Sequence, residues 1–248
     1  MGNLRGIAFM LLSMAGFAIS DGFVKALTNT ISAGQLLVVF GVTGGAILAV
    51  MSKARGAILS GPWLTSPIFL TRLATDMLAA AAVVSSFALV PLSLVSAILQ
   101  VSPLVAAAFA VWLLGESLGP RRLLAILAGL VGVLIMIEPW GERLELGALL
   151  AFFGASMFAL RDVLTRKMPA DVPSDAMVTY GFFAMAPAGV LVLTIEPSIA
   201  PMDVTAVLLT LGGVLSGIFG YTMITLASRI AEISAIAPFR YARLLFAL

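Results

Sequence analysis

Long apolar stretches, separated by short clusters of charge, proline and glycine, organise this sequence. Nine such stretches can be drawn, at 5–27, 33–52, 68–89, 92–114, 121–138, 145–166, 174–196, 203–227 and 231–248. Most hold about 18–25 residues, and a helix rising about 1.5 Å per residue crosses the apolar layer of a bilayer in about 20. The pattern predicts an all-α, polytopic integral membrane protein with nine helices in the chain. The first stretch follows Arg5 and contains Ala15-Gly16-Phe17-Ala18, which resembles the end of a signal peptide. It runs on to Leu27, too long for the apolar region of such a peptide, so a retained first helix is expected.

Composition sharpens this reading. Hydrophobic residues make up 61% of the chain and charged residues only 10%, whereas a soluble domain needs about 25% to face water. The chain has no Cys and no His. Disulfides, thiolate zinc sites, His-ligated haem and Ser-His-Asp or Cys-His catalysis are therefore excluded. The net charge is only +2, with no basic block or stripe, which argues against nucleic acid as a partner. Neither a metal nor a cofactor is expected. Orientation follows from the loops. With the N-terminus in the cytoplasm, nine of the fourteen basic residues fall inside: Arg5, Lys53, Arg55, Arg72, Arg121, Arg122, Arg166, Lys167 and Arg229. Lys25 and Arg143 fall outside, and Arg161, Arg240 and Arg243 lie within stretches. That bias places the N-terminus inside, as in a bacterial-type inner membrane.

The chain also repeats itself. A shift of 141 positions lays Gly6, Phe17, Ala18 and Asp21 on Gly147, Phe158, Ala159 and Asp162, and Lys25 on Arg166. A shift of 135 lays Ser93, Ile98 and Pro103 on Ser228, Ile233 and Pro238. Five helices per repeat is odd, so the two halves, 1–140 and 141–248, are expected to enter the membrane in opposite directions. Such inverted repeats hold a substrate near the bilayer midplane in many carriers. On this alignment the counterparts of Gly115 and Glu116 would be positions 250 and 251, past Leu248. A tenth helix is thus expected in a complete protein.

Several stretches now carry a family resemblance. Pro91-Leu92-Ser93-Leu94-Val95-Ser96-Ala97-Ile98 leading to Pro103, followed by Gly115-Glu116-Ser117-Leu118, resembles the fourth helix of the EamA-type branch of the drug/metabolite transporter superfamily and its Gly-Glu end. Ala237-Pro238-Phe239-Arg240-Tyr241-Ala242-Arg243-Leu244-Leu245 resembles the start of that family's ninth helix. The resemblance implies a basket of ten helices in two inverted groups of five. Helices one, three, four, six, eight and nine would line a central cavity, and rocking of the halves would expose it to either side in turn. It also implies a secondary carrier without an ATP site, and no phosphate-binding G-x-x-x-x-G-K-[ST] loop is present.

Charges inside a bilayer are costly and therefore candidates for function. Arg240 and Arg243, three apart and on one face, suit a carboxylate, a phosphate or an electron-rich ring. Equally, they could snorkel to the interface or pair with Glu232 or Asp76. Asp76 lies one turn after Arg72 and is either its ion-pair partner or a buried acid for a cation or proton. Gln100 would hydrogen-bond substrate or link helices, and Tyr241 sits beside the paired arginines. Asp21 with Lys25, and Asp162 with Arg166, are expected to pair within their own helices; gating between halves is the alternative. Arg161 is expected to snorkel.

Prolines 91, 103, 187 and 238 break or start helices, and the repeat-equivalent Pro103 and Pro238 point to helix openings near a site. Gly41-x3-Gly45 and Gly213-x3-Gly217 permit close helix contacts, while Trp63, Trp112 and Trp140 read as interfacial anchors. These residues favour a permease for a small organic metabolite, anionic or zwitterionic. The other classes are a non-transporting structural or regulatory membrane protein or inactive truncated remnant and, less favoured for want of a base partner, a membrane-embedded enzyme.

Overall fold

A computed structural model describes residues 2–116, 119, 120, 124, 131 and 145–246. The fifth stretch, 121–138, lies outside the described residues apart from two positions, as do Ser117, Leu118, Arg121, Arg122, Trp140 and Arg143. Among the described residues every regular element is helical, as a lipid environment demands: with no water to satisfy backbone groups, each span must bond to itself. The chain runs through α1 (Gly2–Leu27), α2 (Ala33–Ala54), a 3-10 turn (Pro62–Thr65), α3 (Pro67–Leu89), α4 (Leu92–Leu99) and α5 (Ser102–Leu114). It continues through α6 (Leu146–Lys167), α7 (Ser174–Phe183), α8 (Met185–Ile195) and α9 (Val204–Ile230). Last come α10 (Ile233–Ile236), a 3-10 turn (Ala237–Tyr241) and α11 (Ala242–Phe246). Counting α4 with α5 and α7 with α8, seven described helices are long and apolar enough to cross a membrane. Trp112, Ile195 and Leu208 stand exposed on their outer faces, which suits lipid rather than water.

Two spans are interrupted, each by a proline. Pro103 has no N–H to return to the Leu99 carbonyl, and the backbone tightens there into three-residue bonds, Gln100 to Ala97 at 3.0 Å and Val101 to Ile98 at 2.9 Å. Pro187 likewise denies a bond to the Phe183 carbonyl, and the span breaks at Ala184. The last stretch departs most from expectation. Instead of one helix over 231–248, the chain winds through short turns around Pro238, packed on α1. Hydropathy registers a buried apolar segment but not whether it is one continuous helix.

Packing follows a simple plan: α1 lies along α9, α3 along α6, and α2 against α7 and α8. α4 and α5 pack on α6, while α10 and α11 pack on α1. Glycines set these distances. A Cβ on Gly41 would sit 2.4 Å from the Ala186 backbone nitrogen, so Gly41→Ala must push α2 and α8 apart. We expect it to destabilise by about 1–3 kcal/mol, read as a lower melting temperature in detergent, with an unchanged melt counting against so tight a contact. Nearby, Gln35 donates to Ala200 O at 2.7 Å and accepts from Ala200 N at 2.8 Å, tying the loop before α9 to α2.

Trp63, in the turn before α3, is buried, with its ring 5.0 Å from Phe69 and 6.3 Å from Tyr180, edge to face. At the end of α9, Arg229 gathers the carbonyls of Pro169, Ala170 and Val172, closing the loop between α6 and α7.

Candidate functional site

The helices enclose a cavity of about 150 Å³. All six segments implied by the family resemblance contribute to it. α1 brings Phe17 and Asp21, α3 brings Asp76 and Phe87, the break between α4 and α5 brings Gln100 and Pro103, and α6 brings Phe158 and Arg161. α9 supplies Tyr221, and the final turns supply Arg240 and Arg243. Phe40 of α2 and Phe182 at the end of α7 join them. The walls are thus mainly aromatic and aliphatic, with a few charges set among them.

Those charges form a connected chain. Asp76 accepts from Arg72 at 3.1 Å, from Tyr221 at 2.5 Å and, at a looser 3.5 Å, from Arg161. Arg72 is fully buried and also donates to Thr165 Oγ1 at 2.9 Å, the Met177 carbonyl at 3.1 Å and the Tyr221 oxygen at 3.1 Å. Arg161 turns back to Asp162, with 2.9 Å from Nε and 2.8 Å from Nη2. Asp162 then accepts from Arg240, whose Nη1 reaches Ser102 Oγ at 3.2 Å. Apart from this chain, Asp21 pairs with Arg243, Nε lying 2.9 Å from Oδ2. Four guanidiniums against three carboxylates leave these seven buried or half-buried groups at a net +1. Rings support the cations. Arg161 lies 4.7 Å from the Phe158 centroid and 4.9 Å from that of Tyr221, and Arg243 lies 5.5 Å from Phe17.

These contacts revise several expectations. Asp21 and Lys25 do not pair with each other. Lys25 donates to the Phe87 carbonyl at 2.7 Å and to that of Val90 at 3.4 Å, capping the end of α3, where helix carbonyls lack partners. Asp162 does not pair with Arg166, which instead meets the Arg229 carbonyl at 2.6 Å. Arg161 does not snorkel; it is buried, because two carboxylates are within reach. The partners of Arg240 and Arg243 are Asp162 and Asp21, not Glu232 or Asp76. Tyr241 is exposed and does not line the cavity, since one residue of helical advance turns it off the Arg240 face. Asp76 is both an ion-pair partner of Arg72 and a cavity group. Gln100 lines the cavity while its amide reaches back to the Ser96 carbonyl at 3.3 Å.

Tyr221 escaped the sequence reading. Its signal was position: tyrosines in membrane helices favour the two interfaces, and this one falls well inside a span.

The model of the EamA-like transporter family matches residues 4–138. A protein named riboflavin transporter from Rhizobium johnstonii is 24% identical over 239 residues, covering 94% of this chain and 78% of that protein. A riboflavin transporter from Vibrio cholerae is 29% identical over 148 residues, 60% of this chain and 49% of that one. A solved crystal structure of a protein, 24% identical, superposes with a TM-score of 0.71 over 99% of this chain and 86% of its own, and so shares the fold.

Proposed function

The chain belongs to the EamA-like transporter family, and from that premise we propose that it is a secondary carrier for a small organic metabolite built on a flat aromatic ring, of the riboflavin class named for its relatives. The observation that carries this reading is the cavity itself. Its walls offer Phe17, Phe87 and Phe158 for stacking, and its charges sum in favour of an electron-rich or anionic group. Such a site binds and orients; with no His or Cys in the chain it has no ordinary means to activate a nucleophile. Arg240, Arg243, Gln100 and Asp76 are the residues we assign to substrate contact.

Movement in this reading is alternating access between two inverted halves, 1–140 and 141–248, in the inner membrane with the N-terminus in the cytoplasm. The packing supports it. Exchanging the halves turns the α1–α9 contact into the α6–α3 contact, and the packing of the final turns on α1 into that of α4 and α5 on α6. The repeat-equivalent residues Phe17 with Asp21 and Phe158 with Asp162 also share a pattern, each pair placing a ring and a carboxylate beside a guanidinium. The purified protein in liposomes should take up riboflavin saturably, and unlabelled riboflavin should compete. Uptake no faster than in protein-free liposomes would overturn the flavin assignment.

A further inference from the structure

Resting on the carrier reading, we propose that the site recognises its ligand by the imide edge of a fused heteroaromatic ring, a ring N–H flanked by carbonyls, and not by any hydroxylated side chain. The ligand class is then the planar ring 2,4-diones, flavins and pteridine diones among them. Arg240 and Asp21 are the residues that select it.

Arg240 is almost entirely buried, and two of its three nitrogens are committed, to Ser102 and Asp162. Its Nε–H has no partner among the described residues, although the side chain lines the cavity. A buried guanidinium donor left without an acceptor is costly and calls for a group that arrives from outside. An aryl carbonyl is the acceptor that enters such a space without bringing a charged head. Asp21 supplies the reverse polarity. Both of its bonds to Arg243 use Oδ2, and Oδ1 has no bond among the described residues. Gln100, on the same cavity, carries an amide that can complete either role.

The cavity's residues therefore hold one unpartnered donor, one carboxylate oxygen left to accept and one adaptable amide. An imide edge carries the matching carbonyl acceptors and N–H donor, and its flat ring suits a lining rich in phenylalanine. A polyol chain finds fewer hydroxyl donors there. Ser20 has given its hydroxyl proton to the Gly213 carbonyl at 3.0 Å, and Tyr221 has given its own to Asp76. The surfaces that remain are mainly phenylalanine, valine and methionine.

The test is a competition series on the purified wild-type protein, with riboflavin as the fluorescent probe, so that no variant has to fold. Lumiflavin keeps the ring and lacks the polyol; we expect it to bind within about threefold of riboflavin, as a side chain without partners adds little. 3-Methyllumiflavin loses the imide N–H and should bind at least about tenfold more weakly, because it leaves Asp21 without its donor. Ribitol should not compete. Equal affinity for lumiflavin and its 3-methyl derivative overturns the edge assignment while leaving the carrier reading intact. Competition by ribitol does the same. If riboflavin fails to bind, the unsubstituted pteridine dione lumazine becomes the probe in a thermal-shift assay. Stabilisation by lumazine and not by its 3-methyl derivative supports the edge and removes only the flavin assignment. No stabilisation by lumazine, in a protein that does transport another metabolite, overturns the edge alone.

Discussion

Replacing Asp162 by alanine is expected to destabilise the folded protein by about 3–5 kcal/mol, the cost of stranding buried charge. Asp162 is the only carboxylate that Arg240 meets and the closer of the two that Arg161 meets, among the described residues. Without it two buried guanidiniums face each other, with Asp76 at 3.5 Å too far to neutralise both. The measurement is thermal unfolding in detergent, followed by size-exclusion of the fluorescent-tagged protein. Asp162→Asn, which keeps an acceptor in place, should lose less. Asp162→Ala combined with Arg240→Met should recover part of the loss, because the second change removes the charge the first one strands. A single variant that melts like the wild type would show that the ion chain contributes nothing to the fold.

The same residue shows where sequence reasoning reached its limit. Spans with continuous apolar character were legible to within a few positions: 33–52 became Ala33–Ala54, and 68–89 became Pro67–Leu89. Bilayer thickness sets their length, and length survives in the sequence. Pairing does not. Along one chain the i,i+4 neighbour is the visible candidate, so the sequence pairs Asp21 with Lys25 and Asp162 with Arg166. The Asp21 partner, Arg243, lies 222 residues away, and Asp162, besides its neighbour Arg161, takes Arg240 from 78 residues away, on elements that come alongside only when the spans pack. The last stretch failed for a related reason. A segment walled by other helices can leave the helical path at Pro238 and still satisfy its backbone, and hydropathy does not register the difference. The candidate arginines were legible because charge in an apolar stretch is conspicuous. Tyr221 was not, being half apolar itself.

Arg243→Ala is expected to cut carrier activity by at least about tenfold while leaving insertion and folding largely intact, and the contrast with Asp162 gives the reason. The Arg243–Asp21 pair is partly open, at 15% and 13% side-chain exposure, and both groups line the cavity. Cavity water can therefore reach Asp21 when its partner is removed, and the unpaired carboxylate need not unfold the protein. Activity has no such relief. Arg243 holds Asp21 by two bonds to one oxygen, stands over Phe17 at 5.5 Å and joins α1 to the final turns. Losing it removes a charge-assisted donor, frees Asp21 to swing and opens the contact between the first helix and the last. A charged hydrogen bond worth about 1.5–3 kcal/mol corresponds to a loss of roughly ten- to a hundredfold in uptake. Initial uptake rates in liposomes, normalised to folded protein from size-exclusion, measure it. Arg243→Lys should stay impaired, because an ammonium cannot reproduce the planar fork over the Phe17 ring. Normal uptake by Arg243→Ala would remove this pair from the site and leave Arg240 as the arginine to which the cavity's ligand is addressed.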